Sequence, residues 1–339
     1  MRYIIDIHHG LGDVVHFIPA IKMIRENDKT SYIVLIVAKT YVIEFMKTQN
    51  LADEYIPLNK LSLLKYIVRN VLIGADYGVV APCISNQRKA ICLLRVLGCR
   101  KILFEKDRNL EEQRVHRVER NIRVIQQLGY KVKNKYPTLS IPESESRVVD
   151  KYFNQIDKKR KIIAICMGGN YETFKHNGVT ELMDVKRWPV SYFCQLILML
   201  KNQYFLLLVG GKKDEDEFVK CKNYALTISE NVLDLMGKTT LMQSAVILSH
   251  CDLAVGNDTG MIHVAAAIGK PTMAIFCSTD PKKVGAYAPN AQYIEDFMPC
   301  KYCYLSQRTF TCKDKLCLTQ IKPEKVLGAI NDKMGRLRA

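Results

Sequence analysis

Val255-Gly256-Asn257-Asp258-Thr259-Gly260-Met261-Ile262-His263-Val264-Ala265-Ala266-Ala267 reads as the end of a buried strand, a polar turn and the start of a helix built from small residues. The run Asp252–Val255 predicts the strand, Met261 onward the helix, and Thr272–Phe276 the next strand. Strand, turn, helix and strand in that order are the repeating unit of a parallel sheet covered by helices. The turn stands at the carboxyl end of its strand, the edge at which open parallel sheets bind ligands. The unbonded amides of the helix's first turn and its dipole suit a diphosphate there. Thr259 and Gly260 present those donors without bulk, and His263 lies one turn further on. The same residues also admit a plainer reading, with Asp258 as a helix cap and His263 as a satisfied buried histidine.

The unit repeats in both directions. Upstream in the same half lie strands at Ile162–Cys166 and Phe205–Val209, a helix around Tyr192–Lys201 and another after Asp214. The first half opens with a strand at Tyr3–Ile7, a glycine turn and a helix from about Val14 to Glu26. Strands at Ser31–Ala38, Gly78–Ala81 and Arg100–Phe104 follow, then a charged helix over Glu111–Leu128. Between the halves, Lys133–Lys161 holds Pro137, Pro142 and the charged run Asp157-Lys158-Lys159-Arg160-Lys161, the composition of a hinge. The expected fold class is therefore α/β, with two Rossmann-like, doubly wound domains at 1–157 and 158–322. A last helix, within 323–339, is expected to pack back on the first domain.

Three further turns follow predicted strands: Gly10-Leu11-Gly12-Asp13, Cys166-Met167-Gly168-Gly169-Asn170, and Val209-Gly210-Gly211 before Asp214, Glu215, Asp216 and Glu217. An acidic residue beyond such a turn can hold ribose hydroxyls. Each is also an ordinary turn by itself, and on spacing alone Asp13 reads as a helix cap.

Composition narrows the function classes. The 339 residues carry a net charge of +16 without a dense basic tail or an aromatic-interleaved nucleic-acid motif. An anionic substrate or membrane surface is preferred to nucleic acid on that ground. No apolar run reaches the ~20 residues of a membrane span, and the amino terminus runs straight into a strand instead of a secretory h-region. The expected location is cytoplasmic, with peripheral contact at the inner membrane face. Of the 12 cysteines, Cys300, Cys303, Cys312 and Cys317 cluster. Four thiolates so placed can hold a structural zinc or iron in tetrahedral geometry, and the remaining readings are free thiols or disulfides, the latter disfavoured in a reducing cytosol.

The segment Gly256–Pro281, with Asn257-Asp258-Thr259-Gly260, His263, Ala265-Ala266-Ala267 and Gly269-Lys270-Pro271, resembles the signature of glycosyltransferase family 9. Gly10-Leu11-Gly12-Asp13 with Pro19-Ala20, Lys186-Arg187-Trp188-Pro189, and the cysteine-bearing stretch Pro299–Leu318 are similar to that family's other motifs, in family order. The resemblance implies a GT-B enzyme whose two domains face a cleft, acceptor on the first and nucleotide-sugar donor on the second. It implies inverting, metal-independent transfer of heptose from ADP-heptose to an acceptor hydroxyl on a lipopolysaccharide-core or other glycolipid sugar, or on a protein side chain. Asp13 would be the general base and Lys186 the partner of the donor diphosphate. Gly168, Gly211, Asp258, Thr259, Gly260 and His263 would line the donor site, Asp214 or Glu215 would hold the ribose, and Gly10 and Gly12 would shape the acceptor turn. Some relatives that heptosylate autotransporter proteins carry an iron-holding cysteine finger. Two departures bear on the substrate: Asn170–Val185 is longer and more polar than the family pattern, and His8-His9 is an unusual pair before the first turn. Two other readings remain open at this point. One is a GT-B transferase for capsule or exopolysaccharide using another nucleotide sugar. The other is a non-catalytic nucleotide-sugar-binding protein.

Overall fold

The computed structural model describes residues 1–337 except 8, 71–72, 85, 107–113, 154–155, 157–158, 170–171, 177–178, 184–185, 301, 304–311 and 313–315, with the backbone alone at 148, 172–176 and 179–183. The chain divides into two compact units, Met1–Ser140 and Ile141–Ala339.

The first unit runs β1 (Arg2–Asp6), α1 (Leu11–Asn27), β2 (Tyr32–Val37), α2 (Thr40–Lys47), β3 (Glu54–Pro57), α3 (Lys60–Asn70), β4 (Ala75–Val80), α4 (Gln87–Val96), β5 (Cys99–Leu103) and α5 (Arg117–Gln126). Its strands pair in parallel in the order β3-β2-β1-β4-β5. The central strands are nearly continuous buried runs of Ile, Val and Leu, as a sheet covered on both faces requires. The chain moves outward from β1 to β3 and then returns to β4 on the other side of β1. Right-handed crossovers therefore place α1 and α2 on one face and α3 and α4 on the other, while α5 packs against α1. The reversal of direction makes a switch point between β1 and β4.

The second unit begins with α6 (Glu143–Phe153), which packs against a helix deep in that unit. The division consequently falls at Ser140, ahead of α6, and not at 157. The remaining elements are β6 (Ile162–Cys166), β7 (Glu172–His176), β8 (Val179–Met183), α7 (Val190–Leu200), β9 (Phe205–Val209), α8 (Lys212–Phe218), α9 (Tyr224–Thr227), β10 (Val232–Asp234), α10 (Leu241–Ser249), β11 (Leu253–Asn257), α11 (Gly260–Ala267), β12 (Thr272–Ile275), α12 (Pro281–Val284), β13 (Ala291–Ile294), α13 (Leu316–Thr319) and α14 (Pro323–Arg336). Parallel strands lie in the order β10-β9-β6-β11-β12-β13, and the switch point falls between β6 and β11. Within the stretch after Gly169 that departs from the family pattern, β7 and β8 pair antiparallel.

The expected pair of doubly wound α/β domains is the fold observed. The terminal helix α14 is tied into the second unit. Its stripe Val326, Ile330 and Met334 is buried in the second unit's core with Trp188, Phe193 and Ile197, and α14 packs on α7. Spacing of four residues puts all three side chains on one helix face, and that face is consumed within the second unit.

Candidate active site

In the second unit the loops after β6 and β11 flank the switch point, and a glycine brings them together. Gly256 pairs with Cys166 across the ladder, and a Cβ at Gly256 would overlap the Cys166 carbonyl oxygen. The next residue, Asn257, is fully buried. Its Oδ1 accepts from the Trp188 amide at 2.8 Å, and its Nδ2 donates to the carbonyls of Met167 at 2.7 Å and Gly168 at 3.3 Å. The buried Trp188 donates its indole N–H to Ile321 O at 2.7 Å. These bonds hold Lys186-Arg187-Trp188-Pro189 against the sheet edge, so Lys186 is placed by its neighbours as much as by its own contacts.

Asp258 follows at the carboxyl end of β11, its side chain 9% exposed. Its carboxylate accepts from Thr279 Oγ1 at 3.0 Å and stands 3.5 Å from His263 Nε2. Burial alone would raise its pKa, but the His263 hydrogen bond, the Lys186 charge and the Thr279 hydroxyl together hold it below the ordinary carboxylate value. Thr259, not Asp258, caps α11, and its side chain makes no capping bond. Ile262 N and His263 N donate back to the Thr259 carbonyl at 3.1 and 3.4 Å, whereas the amides of Gly260 and Met261 have no carbonyl one turn back within the helix and are available to a ligand at the site. Asp258, Thr259, Gly260, His263 and Lys186 are thereby gathered at one sheet edge, an arrangement that fits a phosphorylated ligand with hydroxyl groups.

Asp214 and Glu215, both candidates for the ribose, have different surroundings. Asp214 Oδ2 accepts from Gly211 N at 2.8 Å, and Gly168 and Gly210 are the small residues that admit its carboxylate. Burial raises its pKa, opposed by the Gly211 amide and by Arg187. Arg187 is almost wholly buried, with Nη2 3.3 Å from Asp214 and 2.6 Å from Glu217, and its Nη1 donates to Gly169 O at 3.5 Å. Asp214 thus belongs to the clamp that shapes the two glycine turns. Glu215 instead meets Lys212 at 2.6 Å and Lys238 at 3.9 Å, beside Gly237.

In the first unit Gly10 caps α1, so Gly12 and Asp13 lie in its first turn. Arg117, the first residue of α5, donates through Nη1 to Asp13 Oδ1. The start of α5 is held by its own cap, where His116 Nδ1 accepts from Val118 N at 3.1 Å. Asn121 Nδ2 then donates to His16 O at 3.0 Å, tying α5 to α1, and the rings of His16 and His116 meet edge-on at 5.3 Å. Cys83, after β4, lies close enough for the charges of Asp13, Arg117 and Asp6 to act on it, although burial is the main cause of its raised pKa. Asp13 therefore sits at the switch point between β1 and β4. Of the pair His8-His9, His9 is half-buried and His8 lies outside the described residues.

Cys300, Cys303, Cys312 and Cys317 are each half-buried. Burial, with contributions from Cys303, Cys300 and Cys312, pushes the Cys317 thiol up to about 11, so the four are electrostatic neighbours. Among the described residues no group of three or more His, Cys, Asp or Glu side chains is arranged to hold a metal ion. Sequence reasoning singled out Lys186, Asp258 and Asp13 but passed over Arg187, Asn257, Thr279 and Arg117, which orient them. Arg187 and Asn257 stand inside the recognised motifs, whereas nothing local to Thr279 or Arg117 marks them.

The chain is similar to known proteins over most of its length. The family model described as glycosyltransferase family 9 (heptosyltransferase) matches residues 96–313. The lipooligosaccharide heptosyltransferase 2 of Campylobacter jejuni is 26% identical over 337 residues, covering 96% of this chain and 96% of that protein. Among solved structures, E. coli ADP-heptose lps heptosyltransferase II superposes with a TM-score of 0.73 at 18% identity, covering 100% of both chains. The glycosyl transferase family 9 protein from Veillonella parvula gives 0.79 at 19% identity, covering 99% of this chain and 97% of that one.

Proposed function

The chain belongs to glycosyltransferase family 9, and from that membership we propose that it transfers a heptose from ADP-heptose to a core sugar of lipopolysaccharide or lipooligosaccharide. It is a glycosyltransferase acting on a nucleotide sugar; the donor, acceptor and stereochemistry are our reading. The observation that carries it is the gathering of Lys186, Asp258 and His263 at the open first turn of α11. That combination offers cationic and amide donors to a diphosphate, and a carboxylate and imidazole to sugar hydroxyls.

In this reading Asp13 takes the proton of the acceptor hydroxyl as its oxygen attacks the anomeric carbon, a role that requires hydrogen-bond reach to that proton. The bond from the anomeric carbon to the diphosphate breaks on the opposite face, which inverts the centre, and its electron pair leaves on ADP. Lys186 and the amides at Thr259 and Gly260 stabilise that charge electrostatically, so a catalytic metal is not needed. Asp258 and His263 contact the sugar or phosphates. Gly168 and Gly211 keep the turns open. Glu215 is favoured over Asp214 for the ribose, since Asp214 is committed to Gly211 and Arg187. The enzyme works in the cytoplasm and touches the anionic inner membrane face. A structural zinc or iron at Cys300, Cys303, Cys312 and Cys317 is part of the proposal, supported by the mutual influence of the four thiols on Cys317. No step of the reaction depends on them.

A thermal-shift panel of ADP, UDP, GDP, CMP and ADP-heptose, followed by transfer to heptose-deficient core oligosaccharide, tests the reading. Stabilisation by ADP and more strongly by ADP-heptose supports it. Stabilisation by UDP or GDP alone would replace the donor and favour a capsule or exopolysaccharide enzyme.

A further inference from the structure

Helix α3 exposes what an ordinary surface helix hides. Leu61, Leu64 and Val68 are 62%, 57% and 71% exposed, and their spacing places them along one side of the helix. The inward side is made by Tyr66 and Asn70, both buried and both bonded to Arg2. The outward apolar stripe is therefore distinct from the face that α3 turns inward.

Charge distinguishes the partner. Helix α3 contains Lys60, Lys65 and Arg69 and no acidic residue. Helix α4, on the same side of the sheet by crossover handedness, contains Arg88, Lys89 and Arg95 and again no acid. Its outer side adds Val96 at 59% exposure. Arg69 is ion-paired with Glu54, which leaves the other cations to set the sign of this face. Apolar side chains flanked by cations, with no carboxylates on either helix, match the interface of an anionic bilayer: the chains enter the headgroup boundary while the cations meet lipid phosphates.

We propose that the face made by α3 and α4 docks the enzyme on an anionic membrane, with Leu61, Leu64 and Val68 inserted at the interface. This names the surface for the peripheral contact proposed above and rests on that reading of where the enzyme works. It is independent of the donor sugar. The stripe also explains why a chain in which, among the described residues, no helix is long and apolar enough to cross a membrane leaves leucines in water: they are exposed only while the protein is off the bilayer.

The test is flotation of the full chain with vesicles of phosphatidylglycerol and phosphatidylethanolamine, against vesicles of phosphatidylcholine alone. The wild type should float with the anionic vesicles, release as salt is raised, and remain behind with the neutral ones. Leu61→Ser/Leu64→Ser/Val68→Ser and Lys60→Glu/Lys65→Glu should each lower the bound fraction about tenfold or more. Their melting temperatures and ADP-induced thermal shifts should stay at wild-type values. Equal flotation of wild type and both variants, or equal binding to neutral vesicles, overturns the proposal. A dimer in light scattering that the serine variant dissociates also overturns it, by showing that a second copy covers the stripe. Because flotation needs neither donor nor acceptor, loss of membrane binding leaves the transferase reading standing, and failure of ADP to stabilise the protein leaves the docking surface standing.

Discussion

Asn257 holds the amide of Trp188 at 2.8 Å through one side-chain atom and the carbonyl of Met167 at 2.7 Å through the other. A single buried amide therefore joins the end of β11 to the turn after β6 and to the motif that carries Lys186. Asn257→Ala leaves a buried N–H and a buried carbonyl without their partner. Each such group costs about 1–3 kcal/mol, so a loss of roughly 2–6 kcal/mol is expected by urea denaturation. ADP binding should weaken as well, since Lys186 loses its mooring. A variant that lost neither stability nor ADP affinity would contradict the joining role.

Gly256→Ala should be more damaging than its single added methyl suggests. The Cβ would overlap the carbonyl oxygen of Cys166, a backbone atom within a parallel ladder that cannot rotate away. Overpacking of this kind costs about 3 kcal/mol or more where the neighbour is rigid. Insoluble expression or a marked fall in melting temperature is the expected result. Gly269→Ala makes a poor control because Gly269 has φ +86°, whereas Gly328→Ala meets nothing within 4 Å and should be neutral or better.

How much of this was legible in the sequence depended on the range of the interaction. The strands β6 and β9 match the predicted Ile162–Cys166 and Phe205–Val209 because buried parallel strands are short, uninterrupted apolar runs. The edge strands β3 and β10 went unread, being short and part polar. Asp258 was visible as a motif residue, yet its role as cap or ligand contact could not be separated until Thr259 was seen to occupy the cap. Arg117 lies 104 positions from Asp13, and no periodicity links residues so far apart. The terminal helix shows the converse limit: its stripe was readable, but the surface it covers was not.

Asp13→Asn should abolish transfer, by about a hundredfold or more given the usual weight of a general base, while ADP and ADP-heptose still raise the melting temperature. Lys186→Ala should do the reverse in part, weakening ADP binding by roughly tenfold for a lost charge-assisted contact to phosphate. Full turnover in the first variant, or unchanged ADP affinity in the second, would remove the assigned role.

Metal analysis of protein purified without chelators addresses Cys300, Cys303, Cys312 and Cys317. If the four thiols close on a zinc or iron, close to one equivalent is expected, and Cys317→Ser should lower both metal content and melting temperature. The variant should retain turnover once folded, because four thiolate ligands leave no open coordination position. Protein carrying only a trace of metal, with a melting temperature indifferent to chelator, leaves free thiols as the account of this loop.

The last prediction concerns acid. The Asp258 carboxyl in the folded protein lies below its ordinary value of 3.8, because His263, Lys186 and Thr279 outweigh burial. A depressed carboxyl contributes stability that is complete above the unfolded-state pKa and lost as pH falls through the folded-state one. Asp258→Asn lacks this contribution at every pH. At pH 7 the variant should be less stable than wild type, by about 1–3 kcal/mol for the lost charge-assisted bonds. As pH falls below 3.8 the two unfolding curves should converge, since protonation turns the wild-type side chain neutral as well. Carboxylates remote from Asp258 titrate alike in both proteins and cancel in the comparison. Urea denaturation of the pair at pH 7, 5 and about 3.5 reads the difference directly, and a gap that stays constant across that range would mean the charge of Asp258 is not what its neighbours hold.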